Sequence, residues 1–432
     1  MQVTLINPPS PFLIDEKVFP PLGLLYVAAS LEKGGVDVEV LDLSGVIEYE
    51  KEVTKFIEKS DCNIFGITST TPNFHMAIKI LGAIKNIKPQ SIAIIGGPHP
   101  TVQPQSCYMF DKIVIGDGEN AVFKAIKEGS EKYIDASKLD SMIRDLDAIP
   151  FPARKLIDIK SYNYEINGKP ATSIITQRGC PFECSFCCGR EIPYYRKVRC
   201  RSAENVYKEL EALFNHYGFK AFMFYDDEFN LNKQRTIELC KYISQLNITF
   251  RCFIKAEFFD DEVAKAMQAA GCFEVLLGVE SGSETILKYQ IKKHASPEIN
   301  SQVRKLAKKY GIRFKALMSI GHPGEDENSI IATKKWLLEN TPDDFDITII
   351  QPYPGSPIYD HSEDFPDLIY SKPDFSKESA FYKGKVGEYR SFIRTPKLTE
   401  KEIERWRDEI EIEVKKTLGI PFQLRPQETN TE

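Results

Sequence analysis

Short runs of branched apolar residues alternate with amphipathic stretches from the start of the chain to about residue 128. The apolar runs predict strands, and the stretches between them, with helical spacing of their apolar positions, predict helices. The predicted strands are Val3–Asn7, Val36–Asp42, Ile64–Ser69, Ile92–Gly97 and Lys112–Gly116, and the predicted helices are Leu22–Lys33, Glu48–Lys59, Asn73–Asn86 and Glu119–Glu128. Apolar strands separated by helices indicate a doubly wound α/β fold, with a parallel sheet covered on both faces.

The same alternation resumes near Ala171 and continues to about Gly355. It predicts six further strands, namely Thr172–Gln177, Ala221–Asp226, Thr249–Ala256, Val275–Glu280, Phe314–Gly321 and Ile347–Tyr353. The intervening segment is rich in proline towards its end, as at Pro150 and Pro152, and is interpreted as a linker.

The pattern changes again after about residue 371. A long charged helix is predicted to begin near Leu398, with Ile403, Trp406 and Ile410 on its buried face. The polar residues after Pro426 are interpreted as a disordered tail. This region is expected to cap the second α/β unit or to contribute to a substrate pocket.

Polar and glycine-rich segments follow the predicted strands of the first sheet. They are Asn7-Pro8-Pro9, Thr68-Ser69-Thr70-Thr71-Pro72-Asn73, Gly96-Gly97-Pro98-His99-Pro100-Thr101 and Gly116-Asp117-Gly118-Glu119. Ligands of parallel sheets bind beyond the carboxyl ends of the strands. Glycine at these places allows the backbone to approach a bulky ligand closely. These segments are therefore candidate binding loops.

Three cysteines after the first strand of the second unit carry the strongest chemical signal. Cys180, Cys184 and Cys187 have the spacing Cys-x₃-Cys-x₂-Cys, with Phe186 just before the third cysteine. Three thiolates can hold three irons of a 4Fe–4S cube, and the fourth iron then stays open for an amine and a carboxylate. A structural zinc site is the alternative. Such a site needs four ligands, and the fourth usually comes from a second Cys-x₂-Cys or His-x₃-His pair, which does not follow in this sequence. Cys188 is expected to be a packed small apolar residue.

Composition bears on the partner, the membrane association and the cellular compartment of the protein. The formal net charge of −6 and the pI near 5.8 argue against a nucleic-acid partner. No apolar stretch reaches transmembrane length, so no membrane span is expected. Ten cysteines without a secretory leader fit the reducing cytoplasm better than a disulfide framework.

The cysteine motif is the signature of radical S-adenosylmethionine enzymes, and the first unit resembles the cobalamin-binding domain of their cobalamin-dependent branch. The segment Pro20-Pro21-Leu22-Gly23-Leu24 and the four polar loops carry that second resemblance. It implies a cobalamin-binding Rossmann-like domain at residues 1–135, a linker at 136–170, a partial (β/α)₆ barrel at 171–360 and a mainly helical region at 361–432. The implied cofactors are a 4Fe–4S cluster, S-adenosyl-L-methionine and cobalamin.

The resemblance also assigns site residues. The cluster ligands are Cys180, Cys184 and Cys187, and the barrel residues expected near S-adenosylmethionine are Asp226, Asp227, Glu280, Ser281, Gly321 and Tyr353. The residues expected near cobalamin are Thr68, Ser69, Thr70, Gly96, Gly97, Pro98, His99, Gly116, Gly118 and Glu119. The Asp-x-His-x-x-Gly motif that supplies a histidine to cobalt elsewhere is missing, so neither His75 nor His99 is expected to bind cobalt.

The resemblance implies an enzyme that methylates an unactivated carbon of a small-molecule or natural-product substrate. An electron from the cluster would cleave S-adenosylmethionine to a 5′-deoxyadenosyl radical, and cobalamin would carry the methyl group. A low-potential donor such as flavodoxin or ferredoxin would supply the electron. Two alternatives remain at this point: a cyclase or rearrangement enzyme that uses both cofactors, and a non-catalytic cobalamin or iron–sulfur sensor. The pattern does not indicate the substrate.

Overall fold

The computed structural model describes residues 1–138, 142–377 and 386–422. The first sheet has six parallel strands in the order β2-β1-β3-β4-β5-β6. Its elements are β1 (Gln2–Asn7), α1 (Leu22–Lys33), β2 (Asp37–Asp42), α2 (Tyr49–Lys59), β3 (Ile64–Thr68), α3 (Phe74–Ile87), β4 (Ile92–Gly96), α4 (Pro98–Val102), β5 (Lys112–Gly116), α5 (Gly118–Ala125) and β6 (Tyr133–Ala136).

Successive residues of these strands enter two different cores. Leu5 packs on the side of α1 and α5, whereas Ile6 packs on the side of α2 and α3. Ile94 and Ile95 of β4 divide in the same way. Because side chains alternate across a strand, a sheet buried on both faces needs apolar residues throughout, and this explains the continuous apolar runs. The predicted doubly wound sheet is confirmed.

The second sheet is an open half-barrel of seven strands in the order β15-β14-β13-β12-β11-β8-β7. The six strands from β15 to β8 are parallel to one another. The seventh, β7, lies at the edge and forms an antiparallel hairpin with β8. The elements are β7 (Glu165–Ile166), β8 (Lys169–Ile174), β9 (Gln177–Arg178), α6 (Pro193–Arg196), β10 (Arg199–Cys200), α7 (Ala203–Ala212), β11 (Ala221–Phe224), α8 (Lys233–Ile243), β12 (Thr249–Ile254), α9 (Asp261–Ala269), β13 (Cys272–Glu280), α10 (Pro297–Lys309), β14 (Arg313–Ile320), α11 (Glu327–Asn340) and β15 (Asp344–Ile349).

Polar side chains begin the outer helices of the half-barrel. Asn232, Asp260, Ser296 and Asp326 each accept a hydrogen bond from the backbone nitrogen three residues later. Such N-caps typically contribute about 1 kcal/mol each. They fix the residue at which each of these four helices begins. Because the strands between the helices are parallel, their carboxyl ends all open on one edge of the half-barrel.

The last part of the chain covers the β15 side of the half-barrel. Its elements are α12 (Pro357–Asp360), β16 (Ile369–Tyr370), β17 (Ile393–Arg394) and α13 (Glu400–Leu418). Ile403 and Ile410 are fully buried in the barrel core, and Trp406 is partly buried against it. The predicted C-terminal helix is therefore present. The predicted tail after Pro426 lies outside the described residues.

Two differences from the predicted elements have physical causes. The first barrel strand ends at Ile174 rather than at Gln177, because the Asp226 carboxylate binds the backbone nitrogens of Thr176 and Gln177 and draws them away from the sheet. The edge strand β6 was not predicted, since only Ile134 among its four residues is buried. In the described part of the chain, no helix is long and apolar enough to cross a membrane.

Candidate functional site

A cavity of about 500 Å³ lies between the carboxyl ends of the first sheet and the mouth of the half-barrel. We call it the central cavity. Thr68, Gly97 and Gly116 line it from the first sheet, and Gln177 and Tyr225 line it from the half-barrel. The strand ends of both sheets therefore converge on one space, where α/β folds bind ligands.

The central cavity continues as an apolar slot between the first sheet and α1. Leu5 and Ile94 line the slot from the sheet, and Val27 lines it from α1. A Cβ atom added to Gly66 would lie 2.7 Å from Leu5, and one added to Gly118 would lie 2.8 Å from Val27. Small residues keep this slot open. An apolar slot beneath a polar, glycine-lined rim fits a corrinoid, which combines a flat apolar base with a large ring that carries amide groups.

Gly23 offers a direct test of this fit. It lies in α1 at the cavity wall, and a Cβ added there would meet no atom within 4 Å. We expect Gly23→Leu to fold normally but to weaken cobalamin binding by at least about tenfold, since the new side chain enters the cavity. Spectrophotometric titration with hydroxocobalamin measures the effect. Gly82→Leu is the matched control, because Gly82 is an equally unobstructed helical glycine outside the cavity; equal affinity in both variants would contradict the fit.

His99 does not line the central cavity. Its Nδ1 lies 3.0 Å from the hydroxyl of Thr71 and its Nε2 lies 2.9 Å from the hydroxyl of Ser106. The ring also lies 4.0 Å from that of Phe74, and burial lowers the pKa of His99 to about 4. Both ring nitrogens thus have partners inside the first sheet's own loops, which supports the expectation that His99 does not bind cobalt.

We therefore expect cob(II)alamin bound to this protein to lack a nitrogen ligand from the chain. Its electron paramagnetic resonance spectrum should show no nitrogen superhyperfine splitting from a histidine. His75→Ala and His99→Ala should leave that spectrum unchanged. A splitting that disappears in either variant would show that a histidine reaches the cobalt.

The three motif cysteines lie in a loop of residues 179–198, which we call the cluster loop. It leaves from β9 and returns through β10, and these strands pair antiparallel with Arg178 opposite Arg199. Inside the loop, the Cys180 nitrogen donates to the Tyr195 carbonyl at 3.0 Å, and the Cys187 nitrogen donates to the Cys184 carbonyl at 3.0 Å. Backbone hydrogen bonds thus close the loop around the cysteines.

Cations surround the three thiols. Burial raises the pKa of Cys180 to about 11 and raises that of Cys187 further, while the Arg190 guanidinium opposes both shifts. Burial also raises the pKa of Cys184, against the Lys293 ammonium. In a bound cluster the three cysteines would be thiolates, and these cations would stabilise the thiolates and the anionic cluster.

The spacing of the thiols fits a cluster better than a single metal ion. Among residues 1–138, 142–377 and 386–422, no three His, Cys, Asp or Glu side chains converge as ligands of one ion. A cube differs because each cysteine binds a separate iron at its own corner. Cys180 and Cys184 both act electrostatically on Cys187, so the three thiols are neighbours without converging on one point. This arrangement fits a three-cysteine cluster.

Glu280 forms the centre of a polar group at the end of β13. Its carboxylate accepts hydrogen bonds from Lys293 Nζ at 3.1 Å and from Ser319 Oγ at 2.7 Å. Burial alone would raise the pKa of Glu280, but these two partners hold it below its usual value. Its backbone has φ +64°, which non-glycine residues rarely adopt, and the strand register shifts there. A strained, charged residue at a barrel strand end is typical of a binding site.

Sequence reasoning missed the two lysines of this group, Lys293 and Lys255. Burial raises the pKa of Glu228 to about 7, against the nearby cations Lys293 and Lys255. Lys255 Nζ lies over the ring of Phe182 in the cluster loop, 4.2 Å from its centroid. Lys255 follows β12 and belongs to no sequence motif, so only the folded structure shows that it lies near the cysteines. Together these groups can bind an ammonium and a carboxylate next to the cysteines.

Two predicted carboxylates have other partners. Asp226 is buried and accepts hydrogen bonds from the backbone of Thr176 and Gln177. Asp227 accepts a hydrogen bond from the Gly179 nitrogen at 3.0 Å and lines the central cavity. Both carboxylates hold the start of the cluster loop, so contact with S-adenosylmethionine stays a prediction for each.

The other predicted barrel residues surround the same mouth. Ser281 is buried, and its hydroxyl lies 3.1 Å from that of Thr333. Gly321 has φ +88° at the end of β14. Tyr353 packs its ring 5.8 Å from that of Phe375. Their roles stay predictions.

The predicted cobalamin residues divide into two groups. Those that line the central cavity are Thr68, Gly96, Gly97, Pro98, Gly116, Gly118 and Glu119. Those that do not line it are Ser69, Thr70 and His99. Ser69 and Thr70 instead support the turn after β3: Ser69 Oγ donates to the Thr70 carbonyl at 3.0 Å, and the Thr70 nitrogen donates to Asn73 Oδ1 at 2.8 Å.

The expectation for Cys188 was wrong. Its side chain is exposed rather than packed, and it lines the central cavity. Its thiol donates to the Pro354 carbonyl at 3.1 Å. Cys188 therefore lies next to the motif cysteines in the chain but at the wall of the central cavity.

Comparisons with known proteins agree with both halves of the site. Residues 174–337 match the model of the radical SAM superfamily, and residues 16–125 match that of the B12 binding domain. An uncharacterized methyltransferase of Pyrococcus horikoshii is 33% identical over 386 residues, which is 84% of this chain and 83% of the relative. An anaerobic magnesium-protoporphyrin IX monomethyl ester cyclase of Cereibacter sphaeroides is 25% identical, over 83% of this chain and 63% of that protein.

Solved structures share the fold. The radical S-adenosylmethionine methyltransferase TsrM from Kitasatospora setae, solved with cobalamin and a [4Fe-4S] cluster, superposes with a TM-score of 0.72 at 17% identity. The match covers 91% of this chain and 87% of TsrM. At this identity, the likeness shows the architecture alone.

Proposed function

Because this chain belongs to the cobalamin-dependent radical S-adenosylmethionine enzymes, we propose that it methylates an unactivated carbon of a small-molecule substrate. The observation that carries the proposal is the central cavity, which the first sheet and the residues around the cluster loop line together. A relative of similar length that bears the name methyltransferase supports the same reaction. Residues 1–135 are assigned to cobalamin and residues 171–360 to the cluster and S-adenosylmethionine.

The residues of the chain have separate roles in this proposal. Cys180, Cys184 and Cys187 hold the cluster, while Glu280 and Lys293 bind S-adenosylmethionine beside it. When bound, the cofactors supply a carbon-centred radical and a methyl group. The protein orients the substrate between them and excludes water.

An aromatic wall at the mouth of the half-barrel serves that exclusion. The ring of Tyr225 lies 5.1 Å from that of Phe19, which comes from the first unit, and 6.1 Å from that of Phe253. Phe19 also lies 4.8 Å from Tyr164. Rings from both units thus pack together next to the central cavity, which Tyr225 lines, and apolar rings at this place help to keep water from a reactive intermediate.

Product stoichiometry tests methyl transfer against the alternative that the cyclase relative raises. With a panel of candidate substrates under anaerobic conditions, we expect S-adenosylhomocysteine and 5′-deoxyadenosine in equal amounts, and a product with one additional methyl carbon. A cyclase or rearrangement enzyme would release 5′-deoxyadenosine without matching S-adenosylhomocysteine. An unmethylated, rearranged product would overturn the proposal. Binding of both cofactors without any turnover would indicate a sensor instead.

The reaction also needs a source of electrons and a reducing compartment. We assign a low-potential protein such as flavodoxin or ferredoxin as the donor, and the cytoplasm as the location. All ten cysteines are free, and five of them (Cys62, Cys107, Cys240, Cys252 and Cys272) are buried. This use of cysteine is typical of a reducing compartment.

A further inference from the structure

The four residues that precede the first motif cysteine are each held by a carboxylate. Asp226 accepts hydrogen bonds from the backbone nitrogen of Thr176 at 2.6 Å and from that of the next residue at 3.0 Å. Asp227 accepts one from the nitrogen of Gly179 at 3.0 Å. These two carboxylates belong to the half-barrel itself. The carboxylates that hold the remaining residue, Arg178, come from the first unit.

Arg178 bridges two acidic residues of the first unit. Its Nη1 lies 2.8 Å from Asp117 Oδ1, and its Nη2 lies 2.5 Å from Glu119 Oε1. Asp117 also accepts hydrogen bonds from Arg199 and from the Tyr194 hydroxyl. The acidic side chains are only 3% and 5% exposed. We call Asp117, Glu119, Arg178 and Arg199 the clamp.

The clamp joins the first sheet to both ends of the cluster loop. Asp117 follows β5 directly, and Glu119 lies in the first turn of α5. Arg178 lies at the start of the loop and Arg199 at its end, opposite each other in the β9–β10 pair. One buried group of charges therefore fixes where the loop begins and ends relative to the first sheet.

Fold stability alone does not account for such a group. Burying charges costs desolvation energy, and apolar side chains of similar volume often stabilise a fold equally well. A guanidinium group that bridges two carboxylates instead fixes the relative position of the segments that carry them, because two or more hydrogen bonds define its orientation. The clamp also lines the central cavity, where Gly116 and Gly118 flank its acidic residues.

We propose that the clamp residues are positioning residues, which set the separation between the cluster loop and the cobalamin side of the central cavity. This inference rests on the proposed function, in which two cofactors act on one substrate carbon. A fixed separation would keep a substrate radical within reach of the methyl group that bound cobalamin would carry. Loosening the clamp then uncouples cleavage of S-adenosylmethionine from methyl transfer.

Arg178→Lys tests the clamp with the smallest chemical change. Lysine keeps the charge but lacks the planar fork that binds two carboxylates at once. Arg196→Lys is the matched control, since Arg196 pairs with Glu183 within the cluster loop, where the two side chains are 40% and 60% exposed. Glu119→Gln is a second variant, which weakens one arm of the bridge and leaves Asp117 in place.

The main readout is the magnetic dipolar coupling between cob(II)alamin and the reduced cluster, measured by pulsed electron paramagnetic resonance without substrate. We expect one narrow distance distribution in the wild type and in Arg196→Lys. Arg178→Lys and Glu119→Gln should retain iron and cobalamin but show a broadened or shifted distribution. The ratio of 5′-deoxyadenosine to methylated product should rise about tenfold or more in these two variants.

Unchanged distributions and an unchanged product ratio in both clamp variants would overturn the inference and leave the clamp as interface packing. If Arg178→Lys loses its cofactors, the inference is tested with Glu119→Gln alone, by its distance distribution and its product ratio. Failure of the proposed function is a distinct result: the wild type would then form no methylated product, while the dipolar coupling would still report on the clamp.

Discussion

Replacing any one of Cys180, Cys184 and Cys187 by Ala is expected to abolish reductive cleavage of S-adenosylmethionine. Three protein ligands hold the cube, and a cluster with only two keeps neither its iron content nor its open site. Iron analysis, low-temperature electron paramagnetic resonance and 5′-deoxyadenosine formation by the reconstituted protein measure the loss.

Cys188→Ala is the control for these variants. Cys188 is adjacent to Cys187 but faces the central cavity and donates its thiol to the Pro354 carbonyl. We expect this variant to retain its iron and its cleavage activity. If Cys188→Ala loses the cluster to the same extent, the ligand set is different from the three motif cysteines.

Glu280→Ala is expected to have the second largest effect. The change leaves the Lys293 ammonium, which is only 7% exposed, without its carboxylate. Breaking a buried pair in this way costs about 3–5 kcal/mol of stability. Binding of S-adenosylmethionine should weaken in addition by about 2 kcal/mol, or about 30-fold in Kd, through the loss of a charge-assisted hydrogen bond. Thermal unfolding and equilibrium binding measure the two effects separately.

A double variant separates stability from binding. In Glu280→Ala/Lys293→Met, no buried ammonium is left without its carboxylate, so much of the stability should return. The affinity for S-adenosylmethionine should stay low, because neither charged group is left to bind it. Recovery of both properties together would show that the Glu280–Lys293 pair is structural and does not bind the cofactor.

The sequence allowed prediction of the two sheets because their signals are local. Continuous apolar strands and cap residues such as Asp260 depend on neighbours along the chain. The cysteine spacing is local as well. The residues at which strands end were less predictable. The first barrel strand stops at Ile174 because Asp226, which is distant in sequence, binds the residues after it.

The electrostatics of the site could not be predicted in this way. Glu119 is predicted to lie near cobalamin, and only the fold shows that its carboxylate also pairs with Arg178, 59 positions away in the chain. Lys293 and Lys255 belong to no motif, and only the folded barrel brings them near the cysteines. Partners of buried charges are set by tertiary packing, which no local pattern records.

The fate of the methyl group tests the central claim most directly and needs no knowledge of the substrate. The protein is reduced anaerobically with cobalamin and S-adenosylmethionine that carries a trideuterated methyl group, and the corrinoid is extracted in the dark for mass spectrometry. We expect the corrinoid to gain the intact trideuterated group, together with an equal amount of S-adenosylhomocysteine. A corrinoid that stays bound but unlabelled, while 5′-deoxyadenosine accumulates, would contradict it.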